Sequence, residues 1–180
     1  MYVFTERELK ELFISAVAIT FVIAWPDIFG INGLVNFLLL FLFVGLGFIV
    51  HEIFHKLAAQ SLGAWSEFVM WKEGLLLALL FKVLTGITFI APGATLWAKP
   101  FPSPDDEGKV SVAGPLANIC LAFLFNLFSP FVPVLRIGAY INSQLALFNL
   151  IPLPPLDGIK ILLWNPVVWI AMVVLAIIAG

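Results

Sequence analysis

Polar positions along this chain come in short clusters, and the apolar ones come in long runs between them. A charged opening, Met1 to Glu11, leads into an apolar run from Leu9 to Trp25. A longer run extends from Asn32 or Gly33 to Leu62 and stops near Gly63. Lys109 to Phe128 is a third run, Gly138 to Leu150 a fourth, and Ile159 or Lys160 to Gly180 a fifth. Pro166 can kink the last run or split it at Trp164-Asn165. Apolar runs near about 20 residues predict helices that cross a bilayer. Leu9 to Trp25 is short for that unless Asp27 to Ile31 extends it. It could pass for a signal peptide, but Ala24-Trp25-Pro26 is a poor cleavage site, so we keep it as a membrane helix. Pro26-Asp27 with Gly30, and Ser129-Pro130 with Pro133, mark turns between runs.

The region 64–104 breaks this rhythm. Leu75 to Leu84 is apolar but short, and Lys72, Glu73 and Lys82 flank it, which predicts an interfacial or re-entrant helix. Two β-prone tetrads follow, Ile87-Thr88-Phe89-Ile90 and Thr95-Leu96-Trp97-Ala98, on either side of Pro92-Gly93. They predict a hairpin. Bare strand edges do not survive in lipid, so the hairpin must face protein or a wet cavity. Phe101 to Gly108, with three acids, is expected to be a polar loop. The fold class is all-α, a polytopic membrane protein of one domain, 1–180, with no soluble appendage. Its spans lie at about 9–25, 33–62, 109–128, 138–150 and 160–180. A split at Pro166 makes six.

Composition agrees with that pattern. The 180 residues are 62% hydrophobic and only 11% charged, far too little charge for a soluble domain of this size. The net charge of −2 says nothing about nucleic acid, but no basic patch is present, so no nucleic-acid partner is expected. A single cysteine excludes an internal disulfide. The cations fix an orientation. With the N-terminus in the cytoplasm, Arg7, Lys10, Lys56, Lys72, Lys82, Lys99, Lys109 and Lys160 fall on or towards the cytoplasmic side, and only Arg136 falls outside. This positive-inside bias predicts an integral protein of the cell membrane, with the end of the second span near the cytoplasmic face.

The chemistry sits at that end. His51-Glu52-Ile53-Phe54-His55 places two imidazoles four residues apart, on one face of a helix, where they can share a metal. Glu52 follows the first and can take a proton from water, the metalloprotease arrangement. These are the only histidines in the chain. Two buried, hydrogen-bonded histidines would be the bland alternative, but a glutamate beside them in an apolar helix makes that costly. A catalytic zinc takes three protein ligands and leaves a position open. Cys120 stands alone in an apolar helix, so Asp157 is the third candidate. It lies in Asn149-Leu150-Ile151-Pro152-Leu153-Pro154-Pro155-Leu156-Asp157-Gly158, where prolines prevent a continuous helix. Asp157 could instead cap the helix that follows. Two asparagines carry further candidate roles. Asn118, beside the small residues Ala113, Gly114 and Ala117, either bonds between helices or holds the proline-rich segment or substrate backbone near the metal. Asn149 either faces the site and donates to a substrate carbonyl or its oxyanion, or satisfies backbone groups freed by the prolines.

The blocks HEIFH, Gly114-Pro115-Leu116-Ala117-Asn118 and the proline-rich Asp157 segment, in this order within membrane runs, resemble the site-2 protease family of intramembrane zinc metalloproteases. The likeness covers roughly residues 33 to 163. It implies one zinc per chain on His51, His55 and Asp157, with Glu52 as general base. Ile159 stands where many members carry a second small residue, and no room exists for the PDZ or CBS domains of some members. The implied reaction is hydrolysis of a peptide bond in a transmembrane protein substrate that reaches the site through the bilayer. The hairpin strands 87–90 and 95–98 are expected either to hold that substrate in extended form or to serve as a structural lid. Two rival functions remain open: a metal or proton transporter, against which stands the absence of repeated halves, and an inactive relative that binds membrane partners.

Overall fold

The computed structural model of the protein describes residues 3–88 and 92–180. Helix α1, Glu6–Ala24, opens with a capping box in which Thr5 and Glu8 satisfy each other's backbone N–H. Its buried face, Leu12, Ala16 and Ile19, packs on Val44, Phe48 and Phe68. Next, α2 (Gly33–Leu40) and α3 (Leu46–Ser61) join through a π turn, Phe41–Gly45, into one unbroken helix, Gly33–Ser61. Gly45 is needed there, because a Cβ would lie 2.7 Å from the ring of Phe41. The helix ends at Gly63, whose φ of 76° lies in the left-handed region that favours glycine.

The sheet differs from the predicted hairpin. Strand β2, Gly93–Ala98, includes Thr95, Leu96, Trp97 and Ala98 as expected, but its partner is β1, Trp65–Met70, antiparallel in the register Trp65↔Ala98 to Met70↔Gly93. Between them lies α4, Lys72–Thr85. Ile87 and Thr88 belong to no strand, and Phe89 and Ile90 fall outside the described residues. After the left-handed Gly86, the Ile87 N–H turns back to the Thr85 hydroxyl (3.1 Å), so these residues leave the helix rather than pair. β1 wins because it is tied on both sides. The N–H groups of Phe68 and Met70 donate outward to Glu8 and Glu11 of α1, each at 2.9 Å. The buried ammonium of Lys56 bridges the Glu8 carboxylate (2.9 Å) and the Ser66 carbonyl (2.7 Å). The charged opening of the chain is thus the clamp on one edge of the sheet.

Helix α5, Pro104–Phe128, starts earlier than the sequence suggested. Ser103 and Asp106 form a capping box with Pro104 in the first turn, which converts most of the expected polar loop into helix. Helix α6, Leu135–Asn149, precedes the proline-rich stretch. The last run does split: α7 is Asp157–Trp164 and α8 is Pro166–Ala179, with Asn165 capping α8 through bonds from the N–H groups of Val167 and Val168. Ile119, Ala146, Leu150, Ile161, Met172 and Ala176 form the core between α5, α6, α7 and α8. The molecule is therefore mostly helical with one small antiparallel sheet. Among the described residues, two helices are long and apolar enough to cross a membrane, Gly33–Ser61 (29 residues) and Pro104–Phe128 (25 residues).

Candidate metal centre

The last turns of α3 carry His51, Glu52 and His55, all buried. Each histidine is held by its Nδ1. That of His51 lies 2.7 Å from the Oδ1 of Asn118, and that of His55 lies 2.7 Å from the carbonyl of Val110, both on α5. A carbonyl oxygen can only accept, so the proton sits on Nδ1 and the Nε2 lone pair points away. The two Nε2 atoms converge at 3.0 Å, and one Asp157 oxygen stands 3.3 Å from His51 Nε2 and 3.1 Å from His55 Nε2. Asp157 is the first residue of α7 and not its cap. Leu156 holds the cap position, without a side-chain bond.

Zinc fits these three donors. A tetrahedral ion with bonds of about 2.0–2.1 Å separates its ligand atoms by about 3.3 Å, close to the spacings found. Without a cation, lone pairs and a carboxylate would crowd one buried point. The room is also reserved: a Cβ on Gly114 would lie 2.3 Å from His55 Nε2 and 2.6 Å from His51 Nε2. Beside the triad, both the N–H and the hydroxyl of Thr95 stand 2.9 Å from Glu52 Oε2, so β2 holds the carboxylate.

The chain is 43% identical over 173 residues to a protein of Methanocaldococcus jannaschii named "Putative zinc metalloprotease MJ0611", covering 92% of this chain and 88% of that one. It is 32% identical over 141 residues to "Putative zinc metalloprotease YwhC" of Bacillus subtilis, covering 64% of this chain and 63% of that one. The chain belongs to this zinc metalloprotease family. No protein-family profile matches it, and no solved structure matches it.

In this metalloprotease the site opens into a cavity of about 500 Å³ with mostly apolar walls, which His51, Glu52, His55 and Asp157 line. Thr88, Thr95, Trp97, Asn149 and Lys160 also line it. Of the docking-strand candidates in β2, Thr95 and Trp97 line the cavity, whereas Leu96 and Ala98 do not and are exposed. Ile87 is exposed elsewhere. The half-buried Asn149 faces the cavity too, with Nδ2 donating to Leu145 O at 3.0 Å. Asn118 is fully buried, and its whole amide is engaged: the oxygen meets His51, and Nδ2 donates to Gly47 O (3.1 Å) and Asn142 Oδ1 (3.0 Å). Sequence reasoning missed two participants, Val110 and Asn142, and the contact that a third, the docking-strand candidate Thr95, makes with Glu52. Val110 acts through its backbone, which no residue type advertises. Thr95 looked like any β-former. Asn142 carried the one usable signal, an amide within a mostly apolar helix, which predicts a buried polar partner.

Proposed function

We propose that this metalloprotease is an intramembrane zinc protease of the site-2 type that hydrolyses peptide bonds of membrane-protein substrates within or beside the bilayer. The observation that carries the reading is the position of the donor cluster. It sits near the end of a 29-residue apolar helix whose outward residues Leu34, Leu38, Leu42 and Leu46 are exposed. Apolar faces on this scale call for lipid or a partner. Helices α1, α2–α3, α5, α6 and the α7–α8 pair would supply five spans, with Asn165 breaking the fifth. The cation distribution would place the N-terminus and the site towards the cytoplasm.

His51, His55 and Asp157 would hold the zinc. Bound there, the ion supplies a Lewis acid that draws the pKa of water towards about 7 and polarises the scissile carbonyl. Glu52, one residue from a ligand, takes the proton from the attacking water and delivers it to the leaving amine. Thr95 keeps the Glu52 carboxylate in place until the substrate arrives. The sheet serves the substrate: β1's outer edge is already tied to Glu8 and Glu11, whereas β2's outer edge meets the cavity, with the Thr95 N–H pointing outward. An unwound substrate exposes backbone groups that cost several kcal/mol each in lipid, and strand addition to β2 pairs them whatever the sequence. Asn149 has a second N–H to give to a substrate carbonyl.

The test is cleavage of a transmembrane peptide in vesicles that contain the purified protein. The reading expects zinc-dependent scission inside the transmembrane segment, lost in Glu52→Gln. Zinc flux across the vesicles without scission would replace it with the transporter reading.

A further inference from the structure

Asn142 lies on α6, a helix that supplies none of the three metal donors, yet it stands two hydrogen bonds behind the first of them, through Asn118. Its side chain is fully buried. Its Nδ2 donates to Gly138 O at 3.0 Å and towards Phe43 O, in the π turn, at 3.4 Å. Both are backbone carbonyls, which only accept, so the amide can lie only one way round. The Asn142 oxygen must then face Asn118, and Nδ2 of Asn118 is drawn to it and to Gly47 O. That leaves the Asn118 oxygen for His51 Nδ1. The polarity runs in one direction, from backbone carbonyls through two amides to an imidazole. The close approach depends on Gly47, where a Cβ would lie 2.6 Å from the Asn142 oxygen. Gly47 and Phe43 are both on the helix that carries the ligands, and the π turn sets how that helix presents its carbonyl to α6.

We propose that Asn142 is a positioning residue for the metal: by fixing which way the Asn118 amide points, it sets His51 in the tautomer whose Nε2 faces the site. The proposal rests on the metalloprotease reading only in taking zinc to bind at these ligands. Without Asn142, the Asn118 amide keeps only one of its two orienting acceptors, Gly47 O, so the flipped amide that offers N–H to His51 and leaves the proton on the wrong nitrogen becomes more populated. His55 is independent of this chain, because the Val110 carbonyl holds it directly.

With only two histidines in the chain, labelling with ¹⁵N-histidine gives two imidazoles to follow. In the zinc-loaded full-length protein we expect both rings to carry the proton on Nδ1 and the metal on Nε2. In Asn142→Leu, the His51 signals should lose that pattern while those of His55 keep it. Zinc affinity, measured by competition with a chromophoric chelator, should fall about 10- to 100-fold, the usual cost of removing an outer partner of a ligating histidine. Asn118→Asp sets a second carboxylate oxygen against the Gly47 and Asn142 oxygens, so adding Asn142→Leu to it removes a repulsion and should not lower affinity further. A parent protein with the metal on His51 Nδ1, or an Asn142→Leu protein with unchanged His51 signals and affinity, overturns the proposal. The parent spectrum tests it even if the variant does not fold. Failure of the parent to bind zinc at all would instead sink the metalloprotease reading.

Discussion

At the scale of single residues, the site is built by subtraction as much as by addition. Gly114 contributes nothing but the room its missing Cβ leaves beside both Nε2 atoms. Gly114→Ala should therefore abolish zinc binding while far-ultraviolet circular dichroism stays unchanged, because the clash falls on ligand atoms and not on the helix. Metal analysis of the purified variant checks this, and full zinc content would refute the reserved space. A second residue-scale prediction concerns Lys56. Its ammonium and the Glu8 carboxylate are both almost fully buried. Breaking such a pair leaves an uncompensated charge and costs about 3–5 kcal/mol, whereas replacing both partners can be nearly neutral. Lys56→Met should lower the melting temperature sharply, and Glu8→Gln added to it should recover part of the loss, because the neutral amide oxygen can still accept from the Phe68 N–H. Melting of Lys56→Met at the parent temperature would show that the ion pair contributes nothing. The ligand candidates His51, His55 and Asp157 were legible in the sequence because metal chemistry restricts residue types and helical spacing restricts geometry. The roles of Val110 and Asn142 were not, since one acts through a backbone carbonyl and the other through contacts nearly 100 residues away in the chain.

At the scale of elements, the long apolar helices followed from run length alone, and the errors cluster where backbone pairing decides. Thr95 to Ala98 does form a strand, but its partner Trp65–Met70 was hidden because charged Glu67 and polar Ser66 disguise a segment whose Phe68 is core. The carboxylates of α1 and the Lys56 ammonium of α3 stabilise that strand's far edge, and no local pattern reveals them. The alternation in β2 makes proline substitution discriminating. Thr95 N–H points away from β1, so the N–H of Trp97, two residues on, does too. Trp97→Pro should impair cleavage more than Trp97→Ala while zinc content persists in both, because both lose the ring's packing on Ala59 and Val110 but only the proline removes an outward donor. Leu96→Pro removes a rung between the strands and should lower stability itself. Normal cleavage in a folded Trp97→Pro protein would argue against substrate pairing at this edge.

At the scale of the whole molecule, the claim is that lipid covers the bare faces of α2, α5 and α8. With Cys120 replaced by alanine, single cysteines introduced near Asn32 or Pro133 should react with an impermeant reagent from outside intact cells, and one near Asp105 should not. The reverse pattern would invert the orientation. The break at Asn165 matters here. By helical rise, α7 covers about 12 Å and α8 about 21 Å, so neither crosses a core of about 30 Å alone. Under the five-span proposal they would together make one interrupted span whose first residue is a metal-ligand candidate. The most direct test of the whole account is a single comparison: zinc per chain and peptide-bond cleavage, measured on the same preparations of the parent, Glu52→Gln and Asp157→Ala. The account predicts one zinc and cleavage in the parent, one zinc without cleavage in Glu52→Gln, and loss of both in Asp157→Ala. Full zinc retention in Asp157→Ala, or undiminished cleavage in Glu52→Gln, would contradict it.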